Sequence, residues 1–162
     1  MLWSRRSALI SLAALGGCGF TPVYAPGGAG NLLRGRIEAA DPTTPLAFAF
    51  VEQVETRLGR AAGAPFELRY TLTTTEDQLA FTADRDIQRF QLVGTAVWTV
   101  QDRAADITVA EGVTESFAAY SAVGTTVATR AAQRDAEQRL AVILADRVVT
   151  ELLGSAGAWA GS

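Results

Sequence analysis

The chain has 162 residues and a formal net charge of −3, with no histidine and one cysteine, Cys18. All 14 basic residues are arginine; two precede Cys18, which leaves 12 against 17 acidic residues in the rest of the chain. This acidic balance argues against a general nucleic-acid-binding protein, which would present a basic face. Ser-His-Asp and Cys-His nucleophiles and His- or Cys-based metal sites are also excluded. We therefore expect no enzyme, no cofactor and no metal.

Residues 1–17 have the pattern of a secretory signal. Arg5 and Arg6 give a positive start, an uncharged apolar stretch follows, and two glycines lead directly into Cys18. The apolar stretch is much shorter than the roughly 20 residues of a transmembrane helix. The string LGGC resembles the bacterial lipobox, which implies that Cys18 is acylated, with palmitate as a typical chain, and becomes the first mature residue. Gly19 after the cysteine resembles lipoproteins that are passed on to the outer membrane.

Two alternatives stay open for this segment. Residues 1–17 could be an ordinary signal peptide that precedes a free thiol, but an odd cysteine in an exported protein calls for an explanation. Lipidation supplies one, and two or more acyl chains anchor a protein stably where a single chain is marginal. The export route is also open, because Arg5-Arg6 resembles part of a twin-arginine signal, although the general secretory route is favoured.

Beyond the signal, the sequence predicts a tether, one domain and a tail. Residues 18–32 are rich in glycine and proline and suit a lipidated N-terminus with a tether. Residues 33–154 carry alternating and helical apolar patterns, which predict a folded domain. Residues 155–162 predict a flexible tail.

The first elements of the predicted domain are a strand over residues 33–39 and a helix. In the strand, Leu33, Gly35, Ile37 and Ala39 would share one face. Thr44 as N-cap and Pro45 at the first helical position then predict a helix start. This helix has an apolar residue at every fourth position and ends at Gly59 or Gly63. Its stripe consists of Leu46, Phe50, Val54 and Leu58.

Three strand-like segments follow the first helix. Alternation runs over residues 66–72, is interrupted by polar residues 73–78 and resumes at 79–82. Longer β-rich runs cover 86–101 and 107–120, with Gly112 as a candidate bulge. Short links between these segments predict antiparallel pairing. One polar row is expected on an uncovered sheet face: Glu67, Arg69, Thr71 and Thr73.

The last predicted element is a helix that begins at Thr125 or Thr126 and ends at Leu153, before Gly154. Its predicted buried stripe is Ala136, Leu140, Ile143, Leu144, Val148 and Leu152. The order β-α-β-β-β-α predicts an α+β fold, a four-stranded mostly antiparallel sheet with two helices packed on one face.

One carboxylate pair remains as a candidate catalytic site. Asp84 and Asp86 would share a face if they lie on a strand, and such a pair can transfer protons. Arg85 and Arg89 beside them favour a charged, solvated turn instead. We therefore expect no catalytic residues.

The string CGFTPVY, from Cys18 to Tyr24, resembles the mature start of the LPS-assembly lipoprotein LptE family. The predicted element order, the long third strand and the terminal Ala- and Arg-rich helix are similar to that family as well. The resemblance implies a non-catalytic, lipid-anchored outer-membrane lipoprotein that faces the periplasm. It would act as plug and assembly partner of the LptD β-barrel, which inserts lipopolysaccharide into the outer leaflet.

The resemblance also implies lipopolysaccharide contacts from basic residues near strand turns and the start of the last helix. Arg85, Arg89 and Arg130 are the candidates by position, because arginine can bind phosphate bidentately. For each of them an ordinary surface salt bridge is the alternative. For the whole chain, the alternative is an accessory lipoprotein of another envelope complex, or a periplasmic binding module, with the same anchor.

Overall fold

The computed structural model of the protein describes residues 28–81, 87–122 and 124–161. Cys18, the tether up to residue 27 and Asp84 to Asp86 lie outside these residues. Within the described residues, no helix is long and apolar enough to span a membrane. The elements in chain order are α1 (Ala29–Leu33), β1 (Ile37–Ala39), α2 (Pro45–Leu58), β2 (Phe66–Phe81), β3 (Ile87–Asp102), β4 (Ile107–Ser121) and α3 (Thr126–Trp159).

The four strands form one sheet in the order β1-β2-β3-β4. β1 is parallel to β2 and pairs with it only from Phe66 to Leu68, while β2–β3 and β3–β4 are long antiparallel ladders. Alternate residues of the central strand β3 face the helices and are buried: Leu92, Gly94, Ala96, Trp98 and Val100. The predicted α+β fold, with its mostly antiparallel sheet, is confirmed.

Both long helices begin where the sequence predicts. The Thr44 hydroxyl accepts a hydrogen bond from the Ala47 N–H at 3.1 Å, Pro45 follows at the first helical position, and Gly59 ends α2 with φ 84°. Thr125 caps α3 in the same way, through the Ala128 N–H at 3.3 Å. These caps satisfy backbone donors that the first helical turn leaves without partners.

The helix α3 lies very close to β3. Leu140 and Leu144 are fully buried, and a Cβ placed on Gly94 would lie 2.9 Å from Leu140 Cδ2 and 3.0 Å from Leu144 Cδ1. Only a glycine allows the helix to approach the strand this closely. The helix α2 lies beside α3 and is linked to it by side-chain hydrogen bonds. Gln53 and Arg57 of α2 both donate to the Asp146 carboxylate of α3, at 2.9 and 2.6 Å.

The two ends of the described chain meet at one end of the domain. Arg36 donates to the carbonyl of Ala160 at 2.9 Å and lies over the Phe66 ring, 5.4 Å from its centre. The Trp159 ring meets the Phe66 ring edge-on at 5.0 Å. We call this cluster of Arg36, Phe66, Trp159 and Ala160 the clasp.

Three sequence expectations need correction at the strands. Residues 29–33 form a helix and Gly35 has φ 68°, so the strand predicted over residues 33–39 begins only at Ile37. Leu33 is buried, but it belongs to the helix α1 and not to the strand. The polar residues 73–78 do not interrupt β2, because each pairs with β3. The bulge in β4 lies at Val109, where the register shifts, and not at Gly112.

Gly112 has a packing role instead. It pairs with Trp98 across the sheet, and a Cβ on it would lie 2.5 Å from the indole ring. The indole N–H donates to the buried Thr114 hydroxyl at 3.0 Å, and that hydroxyl donates to the Glu151 carboxylate at 3.0 Å. These hydrogen bonds join β3, β4 and α3. They also give the buried indole N–H of Trp98 an acceptor, which it would otherwise lack.

Two corrections concern α3. Ile143 is 36% exposed, so it lies beside the buried stripe that otherwise holds as predicted. The helix also continues to Trp159 where the sequence predicts an end at Leu153 and a flexible tail from 155. Ala156 and Trp159 are buried, so this last part of the helix belongs to the core.

Candidate functional site

The end of the domain opposite the clasp carries Arg89 and Arg130, the two predicted site residues that lie in the described parts of the chain. Here the last residues of β4 and the first turns of α3 lie beside β3, where β3 leaves the connection from β2. Arg89 stands on β3 opposite Ser121 of β4, and its side chain is exposed. We call this the distal end.

An open cleft of about 330 Å³ lies between the sheet and α3 at the distal end. Its charged residues are Arg89, Arg139 and Asp135, so two guanidinium groups stand against one carboxylate. Arg139 is already bound to Asp135 of its own helix, and it donates to the carbonyl of Ala119 at 3.1 Å. The full lining is Arg89, Ala119, Tyr120, Ser121, Ala132, Asp135 and Arg139. The two guanidinium groups and the Ser121 hydroxyl suit a phosphate or another anionic group.

The floor of this region is fixed by one carboxylate. The Tyr120 hydroxyl donates to Glu76 of β2 at 2.9 Å, and Gln133 of α3 donates to the same oxygen at 3.3 Å. Phe90 stacks on the Tyr120 ring at 5.2 Å. Burial, together with the neighbouring Glu76 carboxylate, raises the pKa of Tyr120 to about 12. Tyr120 therefore stays protonated and donates to Glu76, and the Glu76 carboxylate, as acceptor from Tyr120 and Gln133, joins β2 to β4 and α3.

The three arginines predicted to contact ligand do not form one cluster in the described residues. Arg89 lines the cleft, whereas Arg130 is exposed on α3 and is not part of the lining. Arg85 falls outside the described residues. Sequence reasoning missed Arg139, whose only signal was the spacing of four residues from Asp135, typical of a surface helical ion pair. Among the described residues, no group of three acidic, histidine or cysteine side chains is arranged to hold a metal.

A second candidate surface is the sheet face that no helix covers. The predicted polar row on β2 lies there; Arg69, Thr71 and Thr73 are exposed and Glu67 is half-buried. The β3 and β4 part of the same face carries two apolar cross-strand pairs among polar residues, which the sequence reasoning did not predict. Val113 and Phe117 are 62% and 60% exposed, and they stand opposite Val97 and Val93. Thr95 and Glu115 lie between the two apolar pairs. Exposed apolar side chains grouped on one face, with polar residues around them, commonly mark a contact with another macromolecule.

Comparison with known families decides the relationship. A family model described as "LptE: Lipopolysaccharide-assembly" matches residues 36–152. The chain belongs to the LptE family. The matched residues run from the start of β1 almost to the end of α3, so they include the cleft, the uncovered sheet face and Arg36 of the clasp. No curated protein matches the sequence.

Solved structures of bacterial lipoproteins share the fold of this chain. A candidate lipoprotein from Caulobacter crescentus is 21% identical, with a TM-score of 0.66 over 80% of this chain and 96% of that one. Rare lipoprotein B from Shewanella oneidensis is 14% identical, with a TM-score of 0.55 over 74% and 92% of the two chains. A minor lipoprotein from Acinetobacter baumannii is 15% identical, with a TM-score of 0.54 over 74% and 89%. At these identities the likeness concerns the fold alone.

Proposed function

We propose that this LptE-family protein is a non-catalytic lipoprotein, anchored to the outer membrane through Cys18, that plugs an LptD-like β-barrel and assists its assembly. In this role it contacts lipopolysaccharide on the way to the outer leaflet. The observation that carries the proposal is the family match over residues 36–152. The distal cleft and the partly apolar sheet face support it, because one offers positive charge to a phosphate and the other offers a surface to a protein.

The cleft is the proposed ligand contact. Arg89 reaches it from β3 and Arg139 from α3, so a phosphate between them could take hydrogen bonds from both guanidinium groups. Asp135 offsets part of the positive charge, which predicts a modest affinity for one anion. Arg85 and Arg130 remain proposed contacts from their sequence positions.

The uncovered sheet face is the proposed barrel contact. Its β2 row is polar and suits the wet interior of a barrel, while Val97, Val113 and Phe117 provide exposed apolar side chains of the kind that protein interfaces bury. Binding energy in such interfaces concentrates in a few central residues. Phe117 is the largest exposed apolar side chain on this face, so we expect it to contribute most to the contact.

The ligand half of the proposal is tested by charge reversal. Arg89→Glu and Arg139→Glu should each weaken binding of purified lipopolysaccharide to the protein, and the triple replacement of Arg85, Arg89 and Arg130 by Glu should weaken it as well. Arg134→Glu is the matched control, because Arg134 is exposed on the same helix and does not line the cleft. Equal loss in Arg134→Glu would show that only net charge matters and would remove the cleft from the proposal.

The barrel half is tested by co-purification from the native envelope. Phe117→Asp should reduce the amount of barrel recovered with the protein and, in the same cells, the lipopolysaccharide at the surface. Val127→Asp is the control, since Val127 is 77% exposed on α3 away from the sheet face. If no barrel co-purifies with the parent protein, an accessory lipoprotein of another envelope complex replaces the plug.

A further inference from the structure

A second hollow adjoins the distal cleft on the outer side of α3. It has a volume of about 400 Å³, which is larger than the cleft. Its lining residues follow each other at spacings of three and four, so they share one face of the helix. This face differs from the one with Leu140 and Leu144, which pack on β3. We call it the α3 hollow, and it is lined by Asp135, Gln138, Arg139, Val142 and Ile143.

Two residues line both the cleft and the α3 hollow, namely Asp135 and Arg139. The Arg139 guanidinium donates to the carbonyl of Ala119, and Ala119 lines the cleft, so the charged end of this side chain lies on the cleft side. Arginine carries that charge at the end of an apolar stem. The cleft and the α3 hollow are therefore neighbours that a single ligand can occupy together.

The α3 hollow has a different chemical character from the cleft. Val142 and Ile143 form its apolar part, and Ile143 is 36% exposed. Asp135 and Arg139 form an ion pair, so their charges compensate each other. Water on an exposed apolar side chain is released when a ligand covers it, which favours binding. The α3 hollow thus suits an apolar group, whereas the cleft suits an anion.

We propose that the α3 hollow binds an acyl chain of the same lipopolysaccharide molecule whose phosphate occupies the cleft. This inference rests on the proposed function, because it takes the cleft as the anion site. Arg139 and Ile143 are four residues apart, which is roughly 6 Å along the helix axis. A phosphate held between Arg89 and Arg139 therefore brings an acyl chain attached near it directly to Val142 and Ile143.

The two contacts together select the lipid end of the ligand. Asp135 competes for Arg139 in the cleft, so an anion without a chain binds only modestly. Each methylene group that becomes fully buried raises an affinity about fourfold. The α3 hollow is open on its outer side, so each methylene of a chain lying there contributes less than this. A molecule that is both anionic and acylated is thus bound more tightly than either part alone.

Substitutions at Ile143 test the apolar contact with purified lipopolysaccharide and the purified full chain. Ile143→Asn should lower the affinity roughly tenfold, about the effect of two fully buried methylene groups, and Ile143→Leu should preserve it. Val127→Asn is the matched control, because Val127 is 77% exposed on α3 and lines neither the cleft nor the α3 hollow. Inorganic phosphate, which probes the cleft alone, should bind equally to Ile143→Asn and to the parent.

The outcomes separate this inference from the function on which it rests. Equal lipopolysaccharide affinity of Ile143→Asn and the parent overturns the inference and leaves the cleft in place. A parallel loss of phosphate binding in Ile143→Asn also overturns it, because the effect is then not specific to the chain. A parent protein that binds neither lipopolysaccharide nor phosphate contradicts the proposed ligand role itself.

Photo-cross-linking in cells that produce the full chain tests where the ligand lies. A photoreactive amino acid in place of Ile143 should capture lipopolysaccharide, and so should one in place of Ser121 of the cleft. Adding Arg89→Glu should reduce capture at Ile143, because the phosphate holds the chain in position, and Arg134→Glu is the control for net charge. Capture at Ser121 alone overturns the inference, as does capture at Ile143 that Arg89→Glu leaves unchanged. Capture of a protein or a phospholipid at Ile143, in place of lipopolysaccharide, overturns it as well.

Discussion

Truncation of Leu140 should cost the fold more than its size alone suggests. Leu140 is fully buried, and it packs on Gly94, which has no side chain to move into the space that the truncation leaves. Leu→Ala changes at buried sites cost about 3–5 kcal/mol where the surroundings cannot collapse. We therefore expect Leu140→Ala to lower the free energy of unfolding by an amount in this range, and Leu144→Ala to behave similarly.

Gly94 offers a second change that isolates the contact. A Cβ at this position would lie 2.9 Å from Leu140 Cδ2, so Gly94→Ala should overpack the core and cost about 1–3 kcal/mol. Combined with Leu140→Ala, the added methyl group enters the vacated space. The double variant should then be more stable than the sum of the single effects predicts, by about 1–2 kcal/mol.

Equilibrium unfolding in urea of the chain that starts after Cys18 measures all these variants, with the slope of the transition as a check on two-state behaviour. Ile143→Ala is the control, since Ile143 is on the same helix and 36% exposed, and it should cost less than about 1 kcal/mol. Equal losses for Leu140→Ala and Ile143→Ala would refute the packing of α3 described above. Strict additivity of Gly94→Ala and Leu140→Ala would refute their contact.

Three further predictions concern other parts of the protein. Gly112→Ala should displace the Trp98 ring, and a near-ultraviolet circular dichroism spectrum identical to the parent's would contradict this. Because the folded pKa of Tyr120 is about 12 against an ordinary value of 10.0, its contribution to stability should be complete below pH 10 and decline as the pH rises towards 12. Absorbance titration measures that pKa, and Glu76→Gln should lower it; an unchanged value would exclude the Glu76 contribution. Cys18→Ala should abolish incorporation of a labelled fatty acid, and undiminished labelling would place the acyl group elsewhere.

Local signals explain what the sequence predicts well. Thr44-Pro45 and Thr125 specify helix starts through bonds within one turn, and both caps form as expected. The apolar stripe of α3 is likewise a local pattern, and it fails only at Ile143, which lies on the flank of the helix. The strand order follows from short links, which favour pairing between neighbours.

The errors arise where long-range contacts decide the structure. The sequence predicts a break in the strand at the polar residues 73–78, because an alternating apolar pattern indicates only which side chains are buried. Their pairing with β3 is made by backbone hydrogen bonds, which that pattern does not reveal. The sequence predicts that Trp159 lies in a flexible tail, because the residue that its ring contacts, Phe66, is far away in the sequence. For the site, Arg89 could be predicted from its place near a strand turn. Arg139 could not, because its place in the cleft depends on how α3 lies against β4.

The proposed anchor at Cys18 would give the clasp a mechanical role. Any pull on the lead before Gly28 reaches the domain at α1 and β1, and β1 alone is a three-residue strand that a small force would peel away. Arg36 passes part of this load to the last turn of α3, and Phe66 and Trp159 pass part to β2. The tension is thus shared between the longest helix and a long central strand. Arg36→Ala should therefore lower the force at which the domain begins to open when it is pulled from its N-terminal end.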